Sequence, residues 1–439
     1  MLDDVREHRL VVDPVMPFGN DARSAISDTV AVTGAHAAYP PPAAMPTQAG
    51  ARGIRFDFNL GARVVLPNRT DGRWRVRLRD LDSGNILFED ENQGGFVNSA
   101  KRWFVRFRIE VWDLADPADA AAAPVWVHDG DCCGQTVLIQ FPIGTLGDTL
   151  GWMPYAARFA ERHGAHVVCA MSGLIIPLLR DAYPAIRFVT HADVVEQELA
   201  AAAYATYSLG LFFDDAACNW QPTDFRQVGL HRTAGYILGV DPAEAPPRLV
   251  LPDESRPFAE PYVCIAVQAS TQAKLWNNPH GWRAVVGFLK ERGYRVICID
   301  QKPVHGAGLV WTHIPHGAED FTGDRPLVER ARFLRHAEAF VGLSSGLAWL
   351  AWGAGCPVVL ISGFTHPVNE FATPFRVHNW HACNSCWNDP RERFDHKDFL
   401  WCPRLVGTPR QFECTRLITH DAVLAALGRA LGDRAGPAP

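Results

Sequence analysis

The feature that most constrains this chain is a series of short, unbroken apolar runs, each followed by a stretch with helical spacing. TVLIQF (136–141), AHVVCAM (165–171) and IRFVT (186–190) stand in one half, and YVCIAVQAS (262–270), YRVICID (294–300), AFVGL (339–343) and PVVLISG (357–363) in the other. A strand covered on both faces, as in a parallel sheet wrapped by helices, needs apolar residues at every position and reads this way. The intervening segments, such as MPYAARFAERHG, HGWRAVVGFLKERG and PLVERARFLRHA, carry apolar residues at helical spacing. The alternation predicts an α/β chain with two Rossmann-like halves and a cleft between them. The Pro-rich stretch between residues 240 and 261 is the natural linker.

The remaining segments have a different texture. Residues 22–50 are rich in Ala and Pro and lack periodicity, which predicts a flexible arm over 1–50. From 51 to 130, short alternating runs (RFDFNLGARVVL, RWRVRLRDL, WFVRFRIEVWD) are separated by turn residues, as in a small antiparallel, barrel-like β-domain. The two halves then occupy 131–255 and 256–439, with a Cys-rich insertion over about 380–415. The alternating Arg73, Arg75, Arg77 and Arg79 read as a solvated strand face. A net charge of −6 offers no basic field for nucleic acid. No run approaches the ~18 apolar residues of a membrane span. The N-terminus lacks the apolar core of a secretory signal, which predicts a cytoplasmic protein.

Three segments at strand ends carry candidate chemistry, because ligands of open α/β sheets bind at the carboxyl edge. In FPIGTLGDTL (141–150), Asp148 stands just ahead of a helix and reads equally as a carboxylate at the cleft mouth or as a helix cap. In QASTQAK (268–274), the hydroxyls of Ser270 and Thr271 with Lys274 suit a pyrophosphate, although Lys274 could also be an ordinary exposed lysine. In GLSSGLAW (342–349), Ser344, Ser345, Gly346, Leu347 and Ala348 open a helix whose first N–H groups can hold an anion; a Ser-capped helix is the plainer alternative. Trp276, Trp349 and Trp352 read as core. Asp300 could bind ribose hydroxyls or cap a turn.

Of eleven cysteines, Cys264, Cys298 and Cys356 fall in apolar runs and read as buried hydrophobes. Cys383, Cys386, Cys402 and Cys414 cluster in a loop-rich segment, and four thiolates suit a closed, structural, tetrahedral metal site. Ligand type permits zinc or iron, and His381 and His396 lie close enough in sequence to substitute for a ligand.

At these residues the chain resembles the heptosyltransferases that use ADP-heptose on a GT-B fold. GDTLGWMPY resembles their G-D-x-L segment, SSGLAWLAWGAGCPVVLISG their nucleotide-sugar motif, and STQAK their phosphate loop. HNWHACNSCW, the Cys spacing and the leading β-domain resemble a subgroup, the bacterial autotransporter heptosyltransferases. That resemblance implies a general base at Asp148 and donor binding by Ser270, Thr271, Lys274 and residues 344–348. It also implies one cysteine-bound iron per chain, transfer from ADP-heptose to serine hydroxyls of an autotransporter adhesin before export, and a ring-shaped homo-dodecamer. Three departures stand out: Ser344, Ser345 and Trp349 replace the wider family's aspartate, threonine and histidine. Two other readings compete, a heptosyltransferase with a glycolipid acceptor and a non-catalytic assembly or carrier protein for an adhesin.

Overall fold

Because strands buried on both faces pair in parallel, the two sets of apolar runs assemble into two separate sheets. In the computed structural model, which describes residues 39–114 and 123–432, the second half is a six-stranded, all-parallel sheet. Its order is Glu319–Asp320, Arg295–Cys298, Tyr262–Ile265, Ala339–Leu343, Val358–Ile361 and Arg376–Val377. The first half runs Arg187–Val189, His166–Ala170, Thr136–Gln140 and Ala205–Ser208, also in parallel. The described residues all belong to one compact unit, 34–439. Of the arm expected over 1–50, residues 1–38 lie outside the described part, while 39–50 are described.

The leading β-strands do not close into a barrel. Among the described residues they form open sheets, and they are divided between two of them. Arg55–Asn59 joins the first half, parallel to Ala205–Ser208, and Arg63–Leu66 and Gly95–Asn98 extend that sheet antiparallel. Arg73–Asp80, Ile86–Asn92, Phe107–Leu114 and Trp126–Asp129 make a separate four-stranded antiparallel sheet. The cause is a buried polar network that makes the strand FDFN look half-solvated in sequence. Arg63 donates to both oxygens of Asp57 (2.7 and 2.6 Å), Asn59 Nδ2 donates to Asp57 Oδ2 (2.7 Å), and Thr206 Oγ1 donates to Asn59 Oδ1 (2.6 Å). With every polar atom of Asp57 and Asn59 engaged this way, the strand can be covered on both faces.

The arginine face in the four-stranded sheet is a cross-strand ion-pair ladder. Arg75 pairs with Glu91 at 2.7 Å, Arg77 with Glu89 at 2.5 Å, and Arg79 reaches Glu110 at 3.5 Å. None of the described helices is long and apolar enough to cross a membrane.

Candidate active site between the two halves

The strand Thr136–Gln140 ends in a loop that turns at Gly144 (φ 84°), and the helix Leu146–His163 begins two residues later. Thr145, not Asp148, holds the N-cap position. Asp148 is half-buried in the first turn, where the positive end of the helix favours its negative charge. Across the cleft, the apolar strand Tyr262–Ile265 leads to a tight turn, Gln272–Lys274. The Lys274 ammonium lies 5.4 Å from the Trp387 ring centroid and 5.8 Å from that of Phe364. Burial lowers the pKa of Lys274, and two carboxylates oppose that effect, Asp148 more strongly than Glu370. Asp148 and Lys274, from opposite halves, therefore stand within reach of each other's charge.

The other predicted donor residues divide by role. Ser270 is exposed at the edge of the cleft. Thr271 is 1% exposed, and its hydroxyl donates to the Phe399 carbonyl (2.9 Å), which also accepts from Gln272 N (2.9 Å). Thr271 thus pins the turn to the Cys-rich segment. The strand Ala339–Leu343 ends at Ser344 and Ser345. Ser345 occupies the N-cap of the helix Gly346–Gly353 in extended conformation, but its side chain makes no capping bond. Its side chain therefore satisfies none of that helix's first amides. Ala348 N is already committed to Ser345 O at 3.0 Å.

Glu370 was not singled out in the sequence. It is 4% exposed; Ser362 Oγ donates to it at 2.7 Å and Arg376 Nε at 3.1 Å, while Ser344 Oγ donates to Thr365 Oγ1 at 3.2 Å. Burial raises its pKa, while Arg376 and the two serines pull the other way. This places a carboxylate beside Ser344, which stands where the resemblance expects an aspartate. The only sequence signal was a lone acid in the loop after PVVLISG.

The two helices that open at the site pack directly on each other. A β-carbon at Gly147 would lie 2.8 Å from Trp349 Cδ1, and one at Gly346 would lie 3.0 Å from Leu146 Cβ. The glycines are there for close approach. Trp349 is 4% exposed and contacts His231 (5.6 Å) and Phe371 (5.0 Å) between ring centroids. Trp276 is buried too, while Trp352 is half-buried and stacked on Phe371. Asp300 is occupied elsewhere: its carboxylate accepts from Val267 N (2.7 Å) and Gln268 N (3.3 Å), so it anchors a turn.

Cys383, Cys386, Cys402 and Cys414 are free cysteines. Burial, reinforced by the neighbouring thiols, pushes Cys386 and Cys414 up to about 12. Arg404 Nη1 lies 4.0 Å from Cys383 Sγ, and Glu413 Oε1 accepts from Cys383 N at 3.0 Å. Among the described residues, no three His, Cys, Asp or Glu side chains are arranged to hold a metal. The donor set itself fits a soft cation, which would take up the thiols as thiolates. His381 and His396 are not needed to complete a set of four. Cys386, Trp387, Trp401 and Phe412 pack with Phe225, Ala273 and Phe364, so the segment forms one wall of the cleft.

Residues 50–115 match the family model for the N-terminal domain of glycosyltransferase TibC, and residues 236–394 match that of glycosyltransferase family 9 (heptosyltransferase). An autotransporter heptosyltransferase from Citrobacter rodentium is 55% identical over 390 residues, covering 88% of this chain and 91% of that one. This chain belongs to the autotransporter heptosyltransferases. Dodecameric iron-containing heptosyltransferase TibC, in complex with ADP-D-β-D-heptose, superposes with a TM-score of 0.82 at 52% identity, covering 89% of this chain and 98% of that one. The family also includes the inactive autotransporter heptosyltransferase BimC of Burkholderia thailandensis, 48% identical over 394 residues and covering 90% of each chain. As an autotransporter heptosyltransferase fold, this one is GT-B-like, with two α/β halves and an antiparallel sheet ahead of them. The family 9 match takes in the donor loop, Ser344–Ala348 and the first two clustered cysteines, but ends before Cys402 and Cys414.

Proposed function

We propose that this chain moves heptose from ADP-heptose to serine hydroxyls of an autotransporter adhesin, with Asp148 as general base. The observation that carries this reading is the placement of Asp148 in the first turn of one half's helix and of Lys274 in the other half's turn, where the carboxylate's charge acts on the ammonium. Donor pyrophosphate lies against Lys274 and the opening amides of the helix Gly346–Gly353, beside Ser270, Ser344 and Ser345. Thr271 contributes by holding the turn. As the bond from the anomeric carbon to the phosphate oxygen breaks, charge grows on ADP, and Lys274 offsets it. The acceptor oxygen attacks the same carbon while Asp148 takes its proton, help typically worth about 10²–10⁴-fold.

The iron-containing TibC relative supports iron, which this reading places as one ion per chain on Cys383, Cys386, Cys402 and Cys414, with zinc as the alternative. When bound, the ion supplies a rigid crosslink of the cleft wall; the transfer itself uses the chain's own side chains. The assembly is read as a homo-dodecamer acting in the cytoplasm. The test is Asp148→Ala with calorimetric ADP binding as control. Loss of transfer with ADP affinity retained is expected, and near-normal transfer would reject the base.

The BimC relative favours a second reading, a non-catalytic adhesin carrier. Release of ADP from ADP-heptose by the purified wild-type chain separates the two. Glycosylation of core lipid in preference to an adhesin fragment would point to the glycolipid acceptor.

A further inference from the structure

Residues 39–49 run as a strap along the first sheet, bound at both ends. At the lower end, Thr47 Oγ1 donates to Ala203 O (2.8 Å), Arg55 Nε to Pro46 O (2.8 Å) and Arg63 Nη1 to Ala43 O (2.8 Å). Gln48–Ala49 then pairs antiparallel with the strand Arg55–Asn59. At the upper end, Gln140 Nε2 donates to Pro40 O at 3.0 Å, and the Tyr39 hydroxyl donates to Leu209 O. Gln140 closes the strand Thr136–Gln140, and Leu209 follows the strand Ala205–Ser208. The Tyr39 ring also lies 6.1 Å, between centroids, from that of His191, which opens the helix after the strand Arg187–Val189.

The ring therefore fills the space where three strands present their carboxyl ends, the edge at which ligands of such sheets bind. Asp148 stands at the same edge, in the first turn of the helix that follows the strand Thr136–Gln140. Burial raises the pKa of the phenol and the charge of Asp148 raises it further, so the group remains a hydroxyl. Burial also lowers the pKa of His191, which keeps that imidazole neutral at the same edge.

We propose that Tyr39 is a positioning residue that seals the acceptor side of the cleft, so that Asp148 serves the acceptor hydroxyl and not water. This rests on the reading of Asp148 as the base. Two reactions compete at that carboxylate. In transfer, the acceptor oxygen bonds to the anomeric carbon, the bond to ADP breaks with its electron pair leaving on ADP, and Asp148 takes the hydroxyl proton. In hydrolysis, water does the same and yields free heptose and ADP. Excluding water is how a closed site suppresses the second outcome.

The experiment uses full-length protein with ADP-heptose, with and without a serine-containing adhesin fragment, and calorimetric ADP binding as control. The ratio of hydrolysis to transfer is the readout, since a residue that merely supports the fold would lower both together. Tyr39→Ala is expected to raise the ratio roughly tenfold with ADP affinity unchanged, and Tyr39→Phe roughly threefold, because the ring stays but loses its anchor on Leu209. If the alanine variant does not fold, the phenylalanine variant decides by the same ratio. Wild-type ratios in the folded variants overturn the seal. Asp148→Ala run alongside separates the two ideas: loss of both reactions there, with unchanged ratios at Tyr39, removes the seal and leaves the base. Normal turnover in Asp148→Ala, or no ADP release by the wild type, removes both.

Discussion

At Gly147 a β-carbon would sit 2.8 Å from the Trp349 indole, and the next nearest atoms are that ring's nitrogen and the Gly346 backbone. Gly147→Ala is therefore expected to push the two helices apart and weaken both stability and turnover. Pairing it with Trp349→Phe should restore part of the loss, measured as denaturation midpoint and ADP release. Trp349→Ala alone opens a cavity between the halves and should cost about 3–5 kcal/mol in urea unfolding. Asp300 makes a pH prediction. Burial lifts its pKa to about 6 despite the bonds from Val267 and Gln268, so the folded state holds a proton that the unfolded chain has released. Its contribution to stability is complete below the ordinary carboxylate value and is lost as pH rises through about 6, a change of about 3 kcal/mol. Asp300→Asn should thus be more destabilising, relative to wild type, at pH 4.5 than at pH 7.5. An equal difference at both pH values would refute that.

The Cys-rich segment has little regular structure beyond the short 3-10 turn Cys386–Asn388 and the one-turn helix Glu413–Arg416, and it is held by contacts that sequence spacing does not reveal. Gly363 lies so close to Cys414 that an added β-carbon would stand 2.2 Å from its carbonyl oxygen. Ser385 N donates to Gly363 O at 2.8 Å, and Glu413, paired with Arg410 at 2.7 Å, accepts from Cys383 N. Gly363→Ala is expected to lift Cys414 off the loop and release the wall that carries Phe364 and Trp387 around Lys274. If these cysteines hold a metal as proposed, metal analysis of the purified variant should show less metal per chain than wild type, and its ADP affinity should fall. Retention of both would mean that the segment docks by other contacts.

On the scale of the whole molecule, the halves are joined by more than their linker. Glu244, within the Pro-rich connection, pairs with His231 of the first half (3.0 Å) and accepts from Ala372 N of the second (3.0 Å). Removing the carboxylate strands a buried imidazole, at a cost of about 1–3 kcal/mol, while the amide of exposed Ala372 can turn to water. Glu244→Ala should split the calorimetric unfolding into two transitions if this residue couples the halves. A single, unshifted transition would show that the helix contact at Gly147 and Trp349 suffices.

The sequence alone determined the parallel strands over 136–140, 166–170, 187–189, 262–265, 295–298, 339–343 and 358–361, because unbroken apolar runs alternating with helical spacing suit a sheet covered on both faces. It also marked Asp148, Lys274 and the helix opening at Ser345, since strand ends followed by Gly, Ser and charged residues are local patterns. Only the tertiary structure decided the rest. The strand Arg55–Asn59 enters the first sheet because Arg63 and Thr206, distant in the chain or on another strand, satisfy Asp57 and Asn59. Thr271 turns from the cleft to Phe399, Asp300 is used up on backbone amides, and Glu370 and Tyr39 arrive at the site from loops that look unremarkable. Each of these depends on a partner far away along the chain, and hydrogen-bond satisfaction in a buried setting is settled by three-dimensional neighbours, not by spacing.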